Sequence, residues 1–385
     1  MTSMLELTEA QRAAVDRAVA VIHQEIEPIA AALDETEDFP EETIRGLARH
    51  DLLAVPLPRE HGGAGQDFVT YACVLEEMAK VSCSIAASVD AHTTMVTRPI
   101  FRFGSEQQRT AYVRHLASGE ALGAFALTEP TAGSDIAGIA TTAVKDGGRY
   151  VLNGSKALIA NANHADLFLV AAKTAPDRGM LGISVFIVER GTPGFVSSGE
   201  CETTLGVRGT DLGSLVFENA PVPSENLLGR ENLGLKILHE TLVADRIATA
   251  SIALGLAEAA QDHSVAYAKK REQFGKPIAQ FESVKHMLAD MEVGISAARL
   301  LVREAARVLE SGADATRIAS VAKLFASEMA TRVTNDAIQI HGGWGYTRNY
   351  PVERLFRDAK YSELVDGTSE IQRLLIADEV IKRRR

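Results

Sequence analysis

The chain has 385 residues, 46% hydrophobic, 24% charged and 5% aromatic, with 40 basic against 51 acidic side chains for a net charge of -11. That composition disfavours a disordered or membrane-resident chain, and the charge balance disfavours non-specific attraction to nucleic acid or anionic lipid. Cys73, Cys83 and Cys201 show no CxxC or Cys/His spacing, which predicts reduced thiols in a cytoplasmic setting, with no disulfide framework and no metal site.

The opening MTSMLELTEAQRAAV lacks the apolar core of a signal peptide and soon takes a helical period. No apolar run is long enough to span a bilayer. From Thr8 to about Gly119 the pattern is mostly helical, broken at DFPEE and VPLPREHGGAGQD, with one helix expected over Asp67 to Val89. The texture changes between Leu122 and Gly229: AVKDGGRYVLNGSK predicts two strands around a glycine turn, and DLFLVAA, GISVFIVE and GSLVFENA are short β-rich runs. Beyond VPSENLLGREN the helical period returns. Val284, Met287, Leu288, Met291, Ile295, Ala298, Val302, Ala305 and Leu309 form a packing stripe, while the terminal KRRR reads as a solvated end.

The expected fold is therefore α+β, mainly α. A helical unit over residues 1–121 precedes a β-barrel-like unit over 122–230 and a four-helix bundle over 231–385. HGGWGY lacks the GxGxxG spacing, so a Rossmann cofactor domain is not expected.

Four segments carry chemistry. ALTEPTAGSD, from Ala126 to Asp135, puts hydroxyls and a glycine at a helix-to-strand transition, where backbone can approach a ligand. YAKKREQFGKPI offers Arg271, whose guanidinium is suited to paired hydrogen bonds with pyrophosphate. QIHGGWGYTRNYPVERLFRDAK and ELVDGTSEIQRLL complete the set. In this order, and with FPEETIRGLARHDLLAVPLPREHGGAG before them, these segments resemble the flavin-dependent acyl-CoA dehydrogenase family over nearly the whole chain.

The resemblance implies FAD, an acyl-CoA or acyl-carrier-protein thioester substrate, electron-transfer flavoprotein as acceptor, and a homotetramer. By the same resemblance Phe125, Leu127, Thr128, Gly133 and Ser134 line the flavin and the substrate entrance. Arg271, Gln273, Phe274, Gln339, Gly342 and Gly343 hold the dinucleotide of a neighbouring subunit, and Thr368, Ser369 and Glu370 lie near the flavin. Where the family has tryptophan and threonine this chain has Leu158 and Ala160, which removes an aromatic wall and a hydroxyl from the ring.

α,β-Desaturation of a thioester needs a base for the α proton and donors for the developing enolate. The family often places glutamate immediately before GTS, where this chain has Asp366; its backbone N–H and Gly367 would meet the carbonyl. Aspartate withdraws the carboxylate by about 1.5 Å, and Val365 replaces a frequent tyrosine. Both changes favour a branched or cyclic acyl group.

Other members carry the base before an arginine on the first long carboxy-terminal helix, here Asp245 beside Arg246, although a helix-surface charge is the plain reading. Asp90, near the expected acyl pocket, reads first as a cap or a solvent-facing residue. Asp366 ranks first and Asp245 second. His92 and His164 are weaker pocket candidates, and His341 belongs to the turn beside the dinucleotide. The alternatives are a flavin oxidase of the nitroalkane-oxidase kind on the same fold, and a non-catalytic flavin-binding or acyl-CoA-binding relative.

Overall fold

The computed structural model describes residues 7–383, so the first residues of the amino-terminal stretch, and Arg384 and Arg385 of the basic end, lie outside it. The first helix, Glu9–Val21, opens with a capping box: Gln11 N donates to Thr8 Oγ1, and Thr8 N donates to Gln11 Oε1 at 2.8 Å. Its buried Val15 and Ala18 turn toward the helix Phe68–Val81.

The single helix expected over Asp67 to Val89 is two helices, Phe68–Val81 and Cys83–His92. Ser82 is extended at φ -147°, ψ 109°, and its hydroxyl accepts from Ile85 N, capping the second helix as Asp67 caps the first. Serine competes for backbone donors in this way, so it ends a helix that hydrophobic period alone would continue.

Eight strands follow: β1 Gly123–Ala126, β2 Thr142–Asp146, β3 Arg149–Ile159, β4 Leu167–Lys173, β5 Ile183–Glu189, β6 Phe195–Cys201, β7 Gly213–Pro223 and β8 Leu227–Leu228. They form one sheet in the order β6-β7-β3-β2-β4-β5-β8, with β1 parallel to β4. The expected hairpin is β2 and β3 around Gly147 and Gly148. In β4 and β5 apolar residues are continuous because both faces are covered. Leu167, Leu169, Val185 and Ile187 join a core with the amino-terminal helices, while Phe168, Val170, Phe186 and Val188 fill the sheet's other side.

The carboxy-terminal bundle is built on the 37-residue helix Gly234–Lys270. Residues 241–257 of it are buried on every face. Helices Phe68–Val81, Glu282–Glu310, Thr316–His341 and Val352–Leu364 surround it. At Gly255 a Cβ would come within 2.1 Å of Glu76 O, so glycine lets the backbones cross closely. The predicted stripe of Glu282–Glu310 is buried at Val284, Met291, Ile295, Ala298, Val302 and Ala305. Among the described residues, no helix is long and apolar enough to cross a membrane.

Candidate active site

The Asp366 elbow is a sharp joint between two helices. Val352–Leu364 ends at Val365 in extended backbone, and Asp366 (φ 57°) and Gly367 (φ 92°) then take left-handed conformations before Ser369–Arg383 begins. Aspartate tolerates that region better than most residues, and glycine adopts it freely. The carbonyls exposed by the joint are satisfied: Gln372 Nε2 donates to Asp366 O at 3.2 Å and to Gly367 O at 2.7 Å, and Lys323 Nζ donates to Gly367 O at 2.9 Å. The half-buried carboxylate is fixed by Thr249, whose hydroxyl donates to Oδ2 at 2.7 Å.

The tertiary fold brings all three candidate acids together. Asp245, with both carboxyl oxygens buried and unpartnered, lies near enough to Asp366 and Asp90 to feel the charge of each. Tyr71 donates to Asp90 Oδ1 at 3.4 Å, and the Thr94 hydroxyl donates to Tyr71 Oη at 3.2 Å. Asp245 is 0% exposed, which corrects its reading as a helix-surface charge: the helix that carries it is enclosed on all sides. Asp90 is 4% exposed and sits within Cys83–His92, so it is neither a cap nor solvent-facing.

Electrostatics follow from this burial. Desolvation, then the charges of Asp366 and Asp90, hold Asp245 well above the usual carboxylate range. Burial pushes Asp90 up to about 7 against hydrogen bonds from Thr94 and Tyr71. Lys323 is pulled down to about 8 by burial, opposed by Asp366 and Asp245. Arg246 is buried, with Nε and Nη1 lacking an acceptor, and is lowered by desolvation against the pull of Asp245 and Asp366.

A second group of predicted residues shares a cleft of ≈ 540 Å³. Arg271, Gln273, Gly342 and Gly343 line it with Tyr267, Ile278, Ile340, His341, Trp344 and Thr347. Gly342 has φ 60°, ψ -140°, and a Cβ added there would meet nothing, so the backbone leaves an open cradle. His341 Nε2 is buried in this wall without a partner. A basic side chain, an open glycine turn and an unpaired ring nitrogen fit a phosphate-bearing group. Phe274, 94% exposed, and the exposed Gln339 stand outside the cleft lining.

The third group gathers around β1. Phe125 and Leu127 are buried, Thr128 is half-buried, and Gly133 and Ser134 lie in an exposed loop. Ala157 N donates to Thr128 O at 3.0 Å, tying β3 to this loop. A register shift between Lys156 and Ile159 turns Leu158 outward at φ 56° and 56% exposure, with Ala160 half-buried beyond it. Beneath the loop Lys156 Nζ donates to Leu127 O at 3.0 Å and Glu129 Oε1 at 2.8 Å. Burial opposes ionisation of Glu129, yet Ala140 N, Lys156 and Thr141 hold it below the usual carboxylate range.

Other predicted residues have local partners. Thr368 Oγ1 accepts from Ile371 N at the start of the last helix, and Glu370 is exposed there. His92 is fully buried, with Gly123 N donating to Nδ1 at 3.0 Å and Nε2 beside Leu116 O, so it joins β1 to the helices. His164 stacks on Phe39 and pairs with Glu41 at 2.7 Å.

Thr249, Lys323, Tyr71 and Gln372 were not among the predicted residues. Thr249 left a signal, because it follows Asp245 by four on one helix and so shares its face. Gln372 lies in the ELVDGTSEIQRLL segment and its contacts to the elbow are local, whereas Tyr71 and Lys323 reach the site only through helix packing. A second acidic group, Glu76, Glu77 and Glu258, differs in kind, being paired already with Lys80 and Arg299.

Family models described as acyl-CoA dehydrogenase N-terminal, middle and C-terminal domains match residues 8–120, 124–220 and 232–381. An acyl-CoA dehydrogenase of Bacillus subtilis (strain 168) is 47% identical over 354 residues, 92% of this chain and 93% of that one. Butyryl-CoA dehydrogenase from Megasphaera elsdenii superposes with a TM-score of 0.95 at 39% identity, covering 98% of this chain and 99% of its own. PigA, in a structure with FAD and proline, has a TM-score of 0.95 at 30% identity, covering 98% and 99%. With the order of its helices and sheet, its carboxylate elbow and its three consecutive matched segments, the chain belongs to the acyl-CoA dehydrogenase family.

Proposed function

We propose that this protein is an FAD-dependent dehydrogenase that desaturates an acyl thioester, carried by coenzyme A or by acyl carrier protein, between its α and β carbons. One observation carries the mechanism: Asp366 stands immediately before Gly367-Thr368-Ser369 on a rigid elbow, with Thr249 holding one oxygen at 2.7 Å. In this reading Asp366 Oδ1 takes the α proton. Thr249, Gln372 and Lys323 keep the carboxylate and its backbone in place, which sustains a near-attack geometry. The backbone N–H groups of the elbow orient the thioester carbonyl.

FAD, when bound, supplies the acceptor for the β hydride. Phe125, Leu127, Thr128 and Ser134 would flank its ring, with Thr368 and Glu370 nearby. Arg271, Gln273, Gly342 and Gly343 would hold the dinucleotide of a neighbouring copy in a homotetramer, with Gln339 and Phe274 approaching from the cleft rim. Electron-transfer flavoprotein is the proposed acceptor. The shortened base and Val365 favour acyl groups branched or cyclic near the reacting carbons.

Anaerobic mixing with short straight, branched and cyclic acyl-CoAs tests this reading. Loss of oxidised-flavin absorbance, fastest with a branched or cyclic group, is the expected result, and a spectrum unmoved by every thioester would overturn it. Gly342→Val should weaken flavin binding about tenfold or more, because backbone strain there costs about 1–3 kcal/mol. Titration of the apoprotein by flavin fluorescence checks that value.

A further inference from the structure

Asp245 presents a problem that the proposed base does not solve. Both its carboxyl oxygens are buried, and neither receives an N–H or O–H donor among the described residues. An ionised carboxylate in that position would bear nearly the whole desolvation cost, with two further carboxyls beside it. Its neighbours come from every element packed around it. Tyr71 and Asp90 approach from the amino-terminal helices, Arg246 from its own helix, Lys323 from Thr316–His341, and Tyr361 and Asp366 from the last helix pair.

Two of these are cations, but neither donates to Asp245: Lys323 is engaged with Gly367 O, and Arg246 leaves Nε and Nη1 without acceptors. A proton on Asp245 resolves the deficit. A carboxylic acid can donate to one carboxylate and accept nothing at little cost, whereas three adjacent carboxylates repel. With that proton in place two carboxylates stand beside two cations and the buried cluster is neutral.

Resting on the dehydrogenase reading, we propose that Asp245 is a positioning residue that holds a proton in the resting enzyme and, through it, hydrogen bonds to Asp366, while Asp90 with Tyr71 and Thr94 closes the far side of the chain. Asp366 is then restrained on two sides, by Thr249 at Oδ2 and by Asp245. Its carboxylate stays free to accept the substrate proton, because the acid beside it is already neutral. The cluster binds one proton before turnover and a second, on Asp366, after the α proton is taken; that second proton must leave before the next cycle.

Asparagine mimics a protonated aspartate in size and can donate where that acid donates, which separates positioning from proton abstraction. Asp245→Asn should reduce flavin by an acyl thioester within about tenfold of the wild-type rate, whereas Asp245→Ala should lose more than Asp245→Asn. Infrared spectra of the flavin-loaded enzyme without substrate, made with isotope-labelled aspartate, should show the band of a protonated carboxyl at a pH well above the usual carboxylate range. That band should vanish in Asp245→Asn.

Stability supplies an independent reading. The folded-state value of Asp245 is raised above its unfolded 3.8, so the folded state binds the extra proton between the two. This contribution is present below the unfolded value and is lost as pH rises. Wild type should therefore lose stability relative to Asp245→Asn as pH rises from acid to neutral, by about tenfold in the folding equilibrium per pH unit for one proton. A band that persists in Asp245→Asn, or a pH slope the variant shares with wild type, would overturn the proposal. So would an Asp245→Asn enzyme as slow as Asp366→Asn, since Asp245 would then be the base. Neither spectrum nor stability depends on a substrate, so failure of the dehydrogenase reading would leave them intact.

Discussion

Asp366→Asn should retain its flavin and bleach about 10²–10⁴-fold more slowly with an acyl thioester, the usual contribution of a general base. The substitution is suited to the position. Asparagine accepts the left-handed φ of 57° as readily as aspartate, and its amide oxygen can still accept from Thr249. Backbone contacts from Gln372 and Lys323 do not involve the side chain, so the elbow should keep its shape. Only basicity is removed. Stopped-flow reduction under anaerobic conditions, with the flavin-to-protein ratio as control, measures the effect. An unchanged rate would place proton abstraction on another carboxyl of the cluster.

Lys156→Met should destabilise the protein by about 3–5 kcal/mol, the range found when one partner of a buried ion pair is removed. Lys156 is 0% exposed, and burial pulls it down to about 8 against the attraction of Glu129. Without it Glu129 keeps only Ala140 N and Thr141 N as donors, with the charge still enclosed. The cost would fall on the loop that follows β1, because the same ammonium also holds Leu127 O. Flavin retention should drop together with stability. A second change, Glu129→Gln in the Lys156→Met background, should recover part of the loss. Denaturant unfolding of both proteins, with bound flavin measured alongside, separates a structural clamp from an idle pair; a loss within about 0.5 kcal/mol, ordinary for surface changes, would sink the clamp.

The legible parts of this site were those with a local signature. Asp366 is legible as a candidate because its neighbours Gly367, Thr368 and Ser369 form a contiguous motif, and Arg271 and Gly342 because their segments do. Asp245 ranks second only through its place before Arg246, and in isolation it reads as a surface charge. Its helix is buried on every side over residues 241–257, and neither Asp245 nor Arg246 within it reveals in the sequence which neighbours it meets. Asp90 was misread for the same reason. Ser82 shows the converse limit: a single hydroxyl cap divided a helix whose period ran on unbroken.

Sequence by itself determined the helical period, the turn residues between strands, the contiguous family motifs, and the aspartate immediately before Gly-Thr-Ser, since each depends on residues close together in the chain. Only the tertiary structure decided that Asp90, Asp245 and Asp366 meet, that Thr249 and Lys323 hold the elbow, and that Lys156 lies beneath the loop after β1. The reason is physical: charge repulsion, desolvation and hydrogen-bond satisfaction depend on distances of a few ångströms between segments tens to hundreds of residues apart, and packing sets those distances.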